Sequence, residues 1–178
     1  MQLEPLTESD RAEVIALNER HQHLTAPMGP DRLDYLAEVG VVEVLRQQGR
    51  FAGFVVTVTG GADYDSSNFG WFRERYESFD YLDRIVVHED FRRQGLGGLT
   101  YDLLEARTAT RATVLALEVN SEPPNPVSMA FHAGRGYQQV GEREFDGHRV
   151  AMLVKSLVAA PSGRPDQPGQ AVRRILPS

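Results

Sequence analysis

The fold is decided by the stretch Tyr81-Leu82-Asp83-Arg84-Ile85-Val86-Val87-His88-Glu89-Asp90-Phe91-Arg92-Arg93-Gln94-Gly95-Leu96-Gly97-Gly98. Residues 81–87 are mostly apolar and predict a buried strand. A polar turn follows, and three glycines then stand where a helical pattern begins. Glycine lets a ligand approach the backbone, and the free amides of a first helical turn, with the helix dipole behind them, attract phosphate. The stretch therefore predicts a phosphate-binding turn between a strand and a helix.

Two common phosphate-binding motifs do not fit these glycines. The dinucleotide pattern G-x-G-x-x-G fails because Thr100 stands three residues after Gly97. A P-loop would need a Gly-Lys-Ser/Thr ending, and no lysine is near. The pattern Arg92-Arg93-Gln94-Gly95-Leu96-Gly97 instead resembles the acyl-CoA-binding motif of the GNAT acetyltransferases, Arg/Gln-x-x-Gly-x-Gly/Ala.

A second block resembles the same family. Residues 125–137 read NPVSMAFHAGRGY, which is similar to the family's Asn-x-x-Ala-x-x-Leu-Tyr-x-x-x-Gly-Phe, and they follow the first motif by about 30 residues. The resemblance covers roughly residues 1–155. It implies an acetyl-CoA-dependent N-acetyltransferase with a mixed α/β fold. The expected architecture is a central mixed sheet of about seven strands, flanked by helices, with parallel pairing at the acetyl-CoA site.

The hydrophobic pattern of the remaining chain agrees with a mixed α/β domain. Besides residues 81–87, strands are predicted at 2–6, 41–46, 51–59, 113–120, 138–145 and 149–155, and helices around 14–18 and at 31–39, 97–108 and 126–135. Alternation of strands and helices in the middle favours parallel pairing at the centre. One domain is predicted over residues 1–158. Residues 159–178, rich in proline, glycine and polar residues, predict a flexible and dispensable tail.

The family resemblance also implies a coenzyme site, residue by residue. Backbone groups of Ile85, Val86 and Val87 would hold the pantetheine arm, and an amide of Val86 or Val87 would stabilise the oxyanion. Asn125 and His132 would lie near the thiol end of the coenzyme. The pyrophosphate would be bound in the glycine-rich turn by Arg92, Arg93, Gln94, Gly95, Leu96, Gly97 and Gly98.

Amine attack on a thioester needs a base for the ammonium proton and an acid for the departing thiolate. Where the resembling family keeps tyrosine, this chain has His132, which is either that acid or a residue packed beside the coenzyme. For the base, Asp83 is expected on the same strand face as Ile85 and Val87, unless it forms a structural ion pair with an arginine. Glu118, on the neighbouring strand, is the second candidate.

Residues 60–80 interrupt the strand pattern and contain six of the aromatic side chains. Long ordered insertions often bind ligands, so this segment predicts one wall of the acceptor pocket. The alternative is a short amphipathic helix that closes the sheet edge, and both can hold. The predicted substrate contacts are Tyr64, Trp71, Phe72 and Tyr81.

Composition limits the partners and the compartment. The 178-residue chain has a formal net charge of −6 and no cysteine. Negative charge argues against a nucleic-acid binder and favours a cationic acceptor, while the lack of cysteine removes thiolate zinc sites and cysteine nucleophiles. His21 and His23 are expected at the surface, and no metal is predicted. With neither a signal peptide nor a membrane span in the sequence, we expect a cytoplasmic protein, and a homodimer stays open.

Three functions compete on this sequence. The first is acetyl transfer from acetyl-CoA to a primary amine of a small molecule or peptide, by direct attack in a ternary complex. The second is a regulatory protein that binds acyl-CoA without turnover, since the family's tyrosine is replaced. The third is a protein-interaction module that docks through the aromatic insertion and needs no coenzyme.

Overall fold

A computed structural model describes residues 1–23, 25–145 and 147–157, which form one seven-stranded sheet with helices on both faces. The strands are β1 (Gln2–Pro5), β2 (Val41–Gln47), β3 (Arg50–Thr59), β4 (Phe79–Val87), β5 (Val114–Glu122), β6 (Gln138–Phe145) and β7 (His148–Ser156). The helices are α1 (Arg11–Arg20), α2 (Pro30–Val39), α3 (Ser67–Arg73), α4 (Leu96–Thr108) and α5 (Pro126–Gly134).

The strands lie in the order β1-β2-β3-β4-β5-β7-β6. Strands β4 and β5 are parallel, and every other neighbouring pair is antiparallel. The connection between the parallel strands runs through α4, as a parallel pair requires a crossover. The predicted fold class, with parallel pairing at the sheet centre, is therefore confirmed.

Apolar side chains divide the core into two layers, one on each face of the sheet. Helices α1, α2 and α3 cover what we name the first face, through residues such as Leu17, Leu36 and Phe69. Helix α4 and the chain around α5 cover the second face, through residues such as Leu104 and Tyr137. Burial on both sides explains why the central strands read as nearly continuous apolar runs.

Strands β4 and β5 separate soon after they meet. Their parallel pairing covers only three residues of each strand and ends at the pair Tyr81 and Ala116. Beyond this point β4 continues along β3 and β5 continues along β7. The β3–β4 register shifts so that Leu82 opposes Thr57 and Arg84 opposes Val56, which leaves Asp83 as an extra, bulged residue. The sheet therefore opens at its centre, and we name this opening the β4–β5 split.

Most predicted elements agree with the structure within one or two residues. The insertion forms the short helix α3, which packs on the first face of the sheet and contacts the edge strand β6 through Trp71 and Gly141. Asp146 of the predicted last turn and the predicted tail lie outside the described residues. Within residues 1–23, 25–145 and 147–157, no helix is long and apolar enough to cross a membrane.

Candidate active site

The glycine-rich turn leads into α4 with its amide groups unpaired. Gly95, at the N-cap of α4, adopts a left-handed conformation with a φ of 79°, which glycine tolerates best. In the described part of the chain, no acceptor receives a hydrogen bond from the amides of residues 93–98, and no side chain caps the helix. A Cβ atom added at Gly97 would meet nothing within 4 Å. The turn is thus an open cradle of donors suited to a phosphate.

The two arginines of the turn differ in their surroundings. Arg92 is held by protein groups, with Nε donating to the Val87 carbonyl at 3.3 Å and a terminal nitrogen 2.8 Å from Nε2 of His21. Arg93 is exposed, with a positive φ of 59°. His21 itself is buried, and its Nε2 also lies 2.8 Å from a carboxylate oxygen of Glu89. The prediction that His21 is a surface residue is therefore wrong, and His21 helps to anchor the turn to the end of α1.

The edge of β4 that faces away from β3 is also free for a ligand. Ile85, Val86 and Val87 pair with β3 on one side, and β5 has already separated on the other. An extended pantetheine arm presents amide groups that match such an unpaired strand edge. The cradle of residues 93–98 and the edge of residues 85–87 together fit acetyl-CoA, although the contacts of each predicted residue with it stay predictions.

Glu118 is the carboxylate that faces the split from β5. On the first face of the sheet, its two oxygens accept hydrogen bonds from Tyr81 Oη at 2.6 Å and from Asn68 Nδ2 at 3.2 Å. The residue keeps part of its surface exposed. Burial of the carboxyl group, opposed by the Tyr81 hydrogen bond and assisted by the charge of Asp83, raises the pKa of Glu118 to about 7. A carboxylate with this pKa can accept a proton near neutral pH.

Asp83 does not lie where strand alternation placed it. Because Asp83 is the bulged residue, its side chain contacts Tyr64 on the first face, whereas Ile85 and Val87 pack against the core of the second face. The Arg84 guanidinium donates to Asp83 at 2.7 Å, and both side chains are nearly buried. The expectation of a shared face with Ile85 and Val87 is thus wrong, and the geometry supports the structural ion pair over a base.

His132 is engaged at both ring nitrogens. Nδ1 lies 2.8 Å from the carbonyl oxygen of Ser128, which only accepts, so Nδ1 carries the proton. Nε2 then accepts from the Tyr101 hydroxyl at 2.6 Å. Burial lowers the pKa of His132 below its usual value, although the Ser128 carbonyl opposes this shift. The neutral ring thus ties α5 to α4, and its one proton is donated to the Ser128 carbonyl and is not on Nε2.

The predicted substrate contacts separate into three kinds. Tyr64 and Tyr81 are buried, and their hydroxyl groups donate to Asp83 and Glu118. Phe72 is fully buried in the core, so it supports the wall from behind, and its prediction as a contact is corrected. Trp71 is partly exposed, with its ring against Gly141 of β6 and under the guanidinium of Arg75 at 4.0 Å.

Some functional neighbours carried no recognisable signal in the sequence. Asn68 and Tyr101 look like ordinary members of amphipathic helices, and only the fold brings them to Glu118 and His132. Asn125, predicted at the coenzyme, caps α5 by accepting from the Ser128 amide at 3.1 Å.

In the described residues, no group of three or more histidine, aspartate or glutamate side chains could hold a metal ion.

Comparison with known proteins assigns the family. Residues 9–137, well over half of the chain, match the acetyltransferase (GNAT) family. The chain therefore belongs to the GNAT family, whose members transfer acetyl groups from acetyl-CoA. No curated protein matches the chain significantly.

Solved structures share the fold at low sequence identity. The ribosomal-protein-S18-alanine N-acetyltransferase from Escherichia coli is 20% identical with a TM-score of 0.66, over 92% of this chain and 97% of that one. A putative acetyltransferase from Salmonella typhimurium, solved with its cofactor acetyl-CoA, is 16% identical with a TM-score of 0.64, over 93% and 99%. A putative phosphinothricin N-acetyltransferase is 16% identical with a TM-score of 0.67, over 89% and 99%.

Replacement of Gly97 by aspartate tests the cradle. In Gly97→Asp, a negative side chain enters the position proposed for the phosphate and would repel it. The affinity for acetyl-CoA should fall at least about 100-fold, which is the size of effect measured for two charges in close contact. The fold should persist, because the site has room for the side chain and an acidic residue near a helix N-terminus is favourable by about 0.3–1 kcal/mol. Calorimetric titration and thermal melting measure the two effects.

Gly61→Asp is the matched control, since a Cβ atom there also meets nothing within 4 Å and the residue lies outside the cradle. It should bind acetyl-CoA like the wild type. Equal affinities for the Gly97 variant and the wild type would contradict the assignment of the cradle.

Proposed function

We propose that the protein acetylates a primary amine of a small molecule or peptide by direct attack on acetyl-CoA in a ternary complex, with Glu118 as general base. One observation carries the proposal: a partly exposed carboxylate with a pKa raised to about 7 lies on the first face of the sheet at the β4–β5 split. Acetyl-CoA supplies an activated thioester carbonyl. Its binding on the second face leaves the first face, with Glu118, for the amine.

The groups around Glu118 suit an ammonium substrate. Behind the partly exposed Glu118, the buried Tyr64 and Tyr81 donate through their hydroxyl groups to Asp83 and Glu118. Asp83 adds a second negative charge whose partner is Arg84. An incoming cation would be attracted by this field and would lose its proton to the Glu118 carboxylate. The amide of Val86 or Val87, on the edge that β5 leaves open, supplies the proposed oxyanion donor.

The names of the similar structures support the acceptor class without choosing within it. One is named as an N-acetyltransferase of an alanine in a ribosomal protein, and another as an N-acetyltransferase of phosphinothricin. Both names describe N-acetylation. Both proteins are at most 20% identical to this chain, so their acceptors are not transferred to it. A screen of primary amines, read by release of free CoA, identifies the acceptor and separates an enzyme from a protein that only binds acyl-CoA.

Removal of the Glu118 charge should abolish most of the turnover. Glu118→Gln should lower kcat by about 10²- to 10⁴-fold, the range for a lost proton-transfer group, with acetyl-CoA affinity unchanged. Because the base works when deprotonated, wild-type kcat/KM for the amine should be high above pH 7 and fall with a slope of one as pH drops through the pKa of about 7.

The control is Glu142→Gln, which changes an exposed carboxylate on β6 that bonds only to Ser121. This variant should retain both the rate and the pH profile. Full activity in Glu118→Gln, once product release is excluded by single-turnover measurement, would remove Glu118 from the mechanism.

The role of His132 can be decided by kinetics. Because its neutral ring joins α5 to α4 through Tyr101, His132→Ala and Tyr101→Phe should both weaken acetyl-CoA binding several-fold, and the double variant should be little worse than either one. The single-turnover rate at saturation should change less than about tenfold, below the full range of a lost acid. A loss above 100-fold in His132→Ala, with disappearance of an alkaline limb in the pH profile, would restore the predicted acid role.

A further inference from the structure

The insertion between β3 and β4 does more than build a wall, because α3 carries a buried polar residue to Glu118. Asn68 has no exposed surface, although an unpaired amide would be costly to bury. Its Nδ2 donates to Glu118 Oε1 at 3.2 Å, and its Oδ1 accepts from an Arg143 terminal nitrogen at 2.9 Å. Every interaction of this amide is thus directed either at the proposed base or at a cation on β6.

Arg143 fixes which end of the Asn68 amide faces the carboxylate. A guanidinium only donates, so the amide oxygen must point to Arg143 and the NH₂ group must point to Glu118. The same terminal nitrogen of Arg143 donates to the Ser67 carbonyl at 2.6 Å, which anchors the start of α3 to β6. One turn later, Trp71 packs so closely on Gly141 that a Cβ atom there would lie 2.7 Å from the ring.

The hydrogen bond from Asn68 matters because opposing effects act on the pKa of Glu118. Burial and the charge of Asp83 raise its pKa, whereas hydrogen bonds from Tyr81 and Asn68 lower it. A donor stabilises the charged carboxylate, so its loss would raise the pKa further and leave less of the base deprotonated at neutral pH. The two donors also bind different oxygens, so together they fix the rotation of the carboxylate plane.

We infer that Asn68, oriented by Arg143, is a positioning residue that holds the Glu118 carboxylate in place and stabilises its charged form. The inference rests on the proposed function, because it assigns a purpose to the base. It makes α3 and the β6–β7 hairpin parts of one active site, joined across the acceptor side by the chain Arg143, Asn68 and Glu118.

The test is a carboxyl-carbon NMR titration of the full chain with ¹³C-labelled glutamate, in which Glu118→Gln identifies the Glu118 signal. Asn68→Leu keeps a similar volume and removes the donor, so the pKa of Glu118 should rise by about one unit, as expected for a lost hydrogen bond to a charged group. Arg143→Met should also raise the pKa of Glu118, but by less than Asn68→Leu does. The control Arg149→Met removes a cation of the same hairpin that forms ion pairs with Glu122 and Glu144, and it should not move the pKa of Glu118.

An unchanged Glu118 titration in Asn68→Leu overturns the inference, and so does an equal shift in the Arg149 control. A purely structural role would lower the melting temperature without moving the titration. If Asn68→Leu does not fold, Asn68→Ser and Arg143→Met provide the same comparison. The titration needs no acceptor, so its outcome is separate from the proposed function, which is tested by the amine screen and by the activity of Glu118→Gln.

Discussion

The site depends on the separation of β4 and β5 after only three paired residues. In a continuous parallel pair, the backbone groups of residues 85–87 would be bonded to β5 and closed to any ligand. The bulge at Asp83 lies two residues after Tyr81, the last residue of β4 that pairs with β5, and β4 stays aligned with β3 beyond it. Gly53 permits this alignment, because a Cβ atom there would lie 2.2 Å from the Val86 carbonyl oxygen. The opening is thus built into the strand register.

Buried charge holds the bulge in place. Arg84 donates to Asp83 and, with another nitrogen, to Asn18 and the Ala26 carbonyl at 3.0 Å each, so β4 is tied to the end of α1 and the segment after it. A buried cation that lost these acceptors would cost several kcal/mol, roughly 3–5 for a broken buried pair. The same contacts keep the charge of Asp83 beside Glu118, where it raises the pKa of Glu118. Structural support and tuning of the base therefore come from one network.

Much of the coenzyme side was predictable from the sequence, because it depends on local chemistry. Glycines before a helix, an apolar strand and a proline at the start of α5 act within a few residues of one another, and these elements were placed correctly. Glu118 could be proposed because it is the carboxylate on the predicted strand that neighbours β4. Asp83 was misplaced because one bulged residue reverses the alternation after it. Asn68, Arg143 and Tyr101 gained their roles through contacts 31 to 75 residues apart along the chain, which periodicity cannot reveal.

Amide hydrogen exchange, followed by NMR with and without acetyl-CoA, tests the central claim most directly. If the open edge of β4 and the start of α4 bind the coenzyme, the amides of residues 85–87 that point away from β3 and the amides of residues 93–98 should gain protection together, while β1 at the far edge of the sheet should not change. Protection would arise because a ligand covers the unpaired edge of β4 and occupies amides of residues 93–98 that no acceptor in the described residues now satisfies. Saturation with acetyl-CoA that leaves both segments exchanging as before would contradict the account.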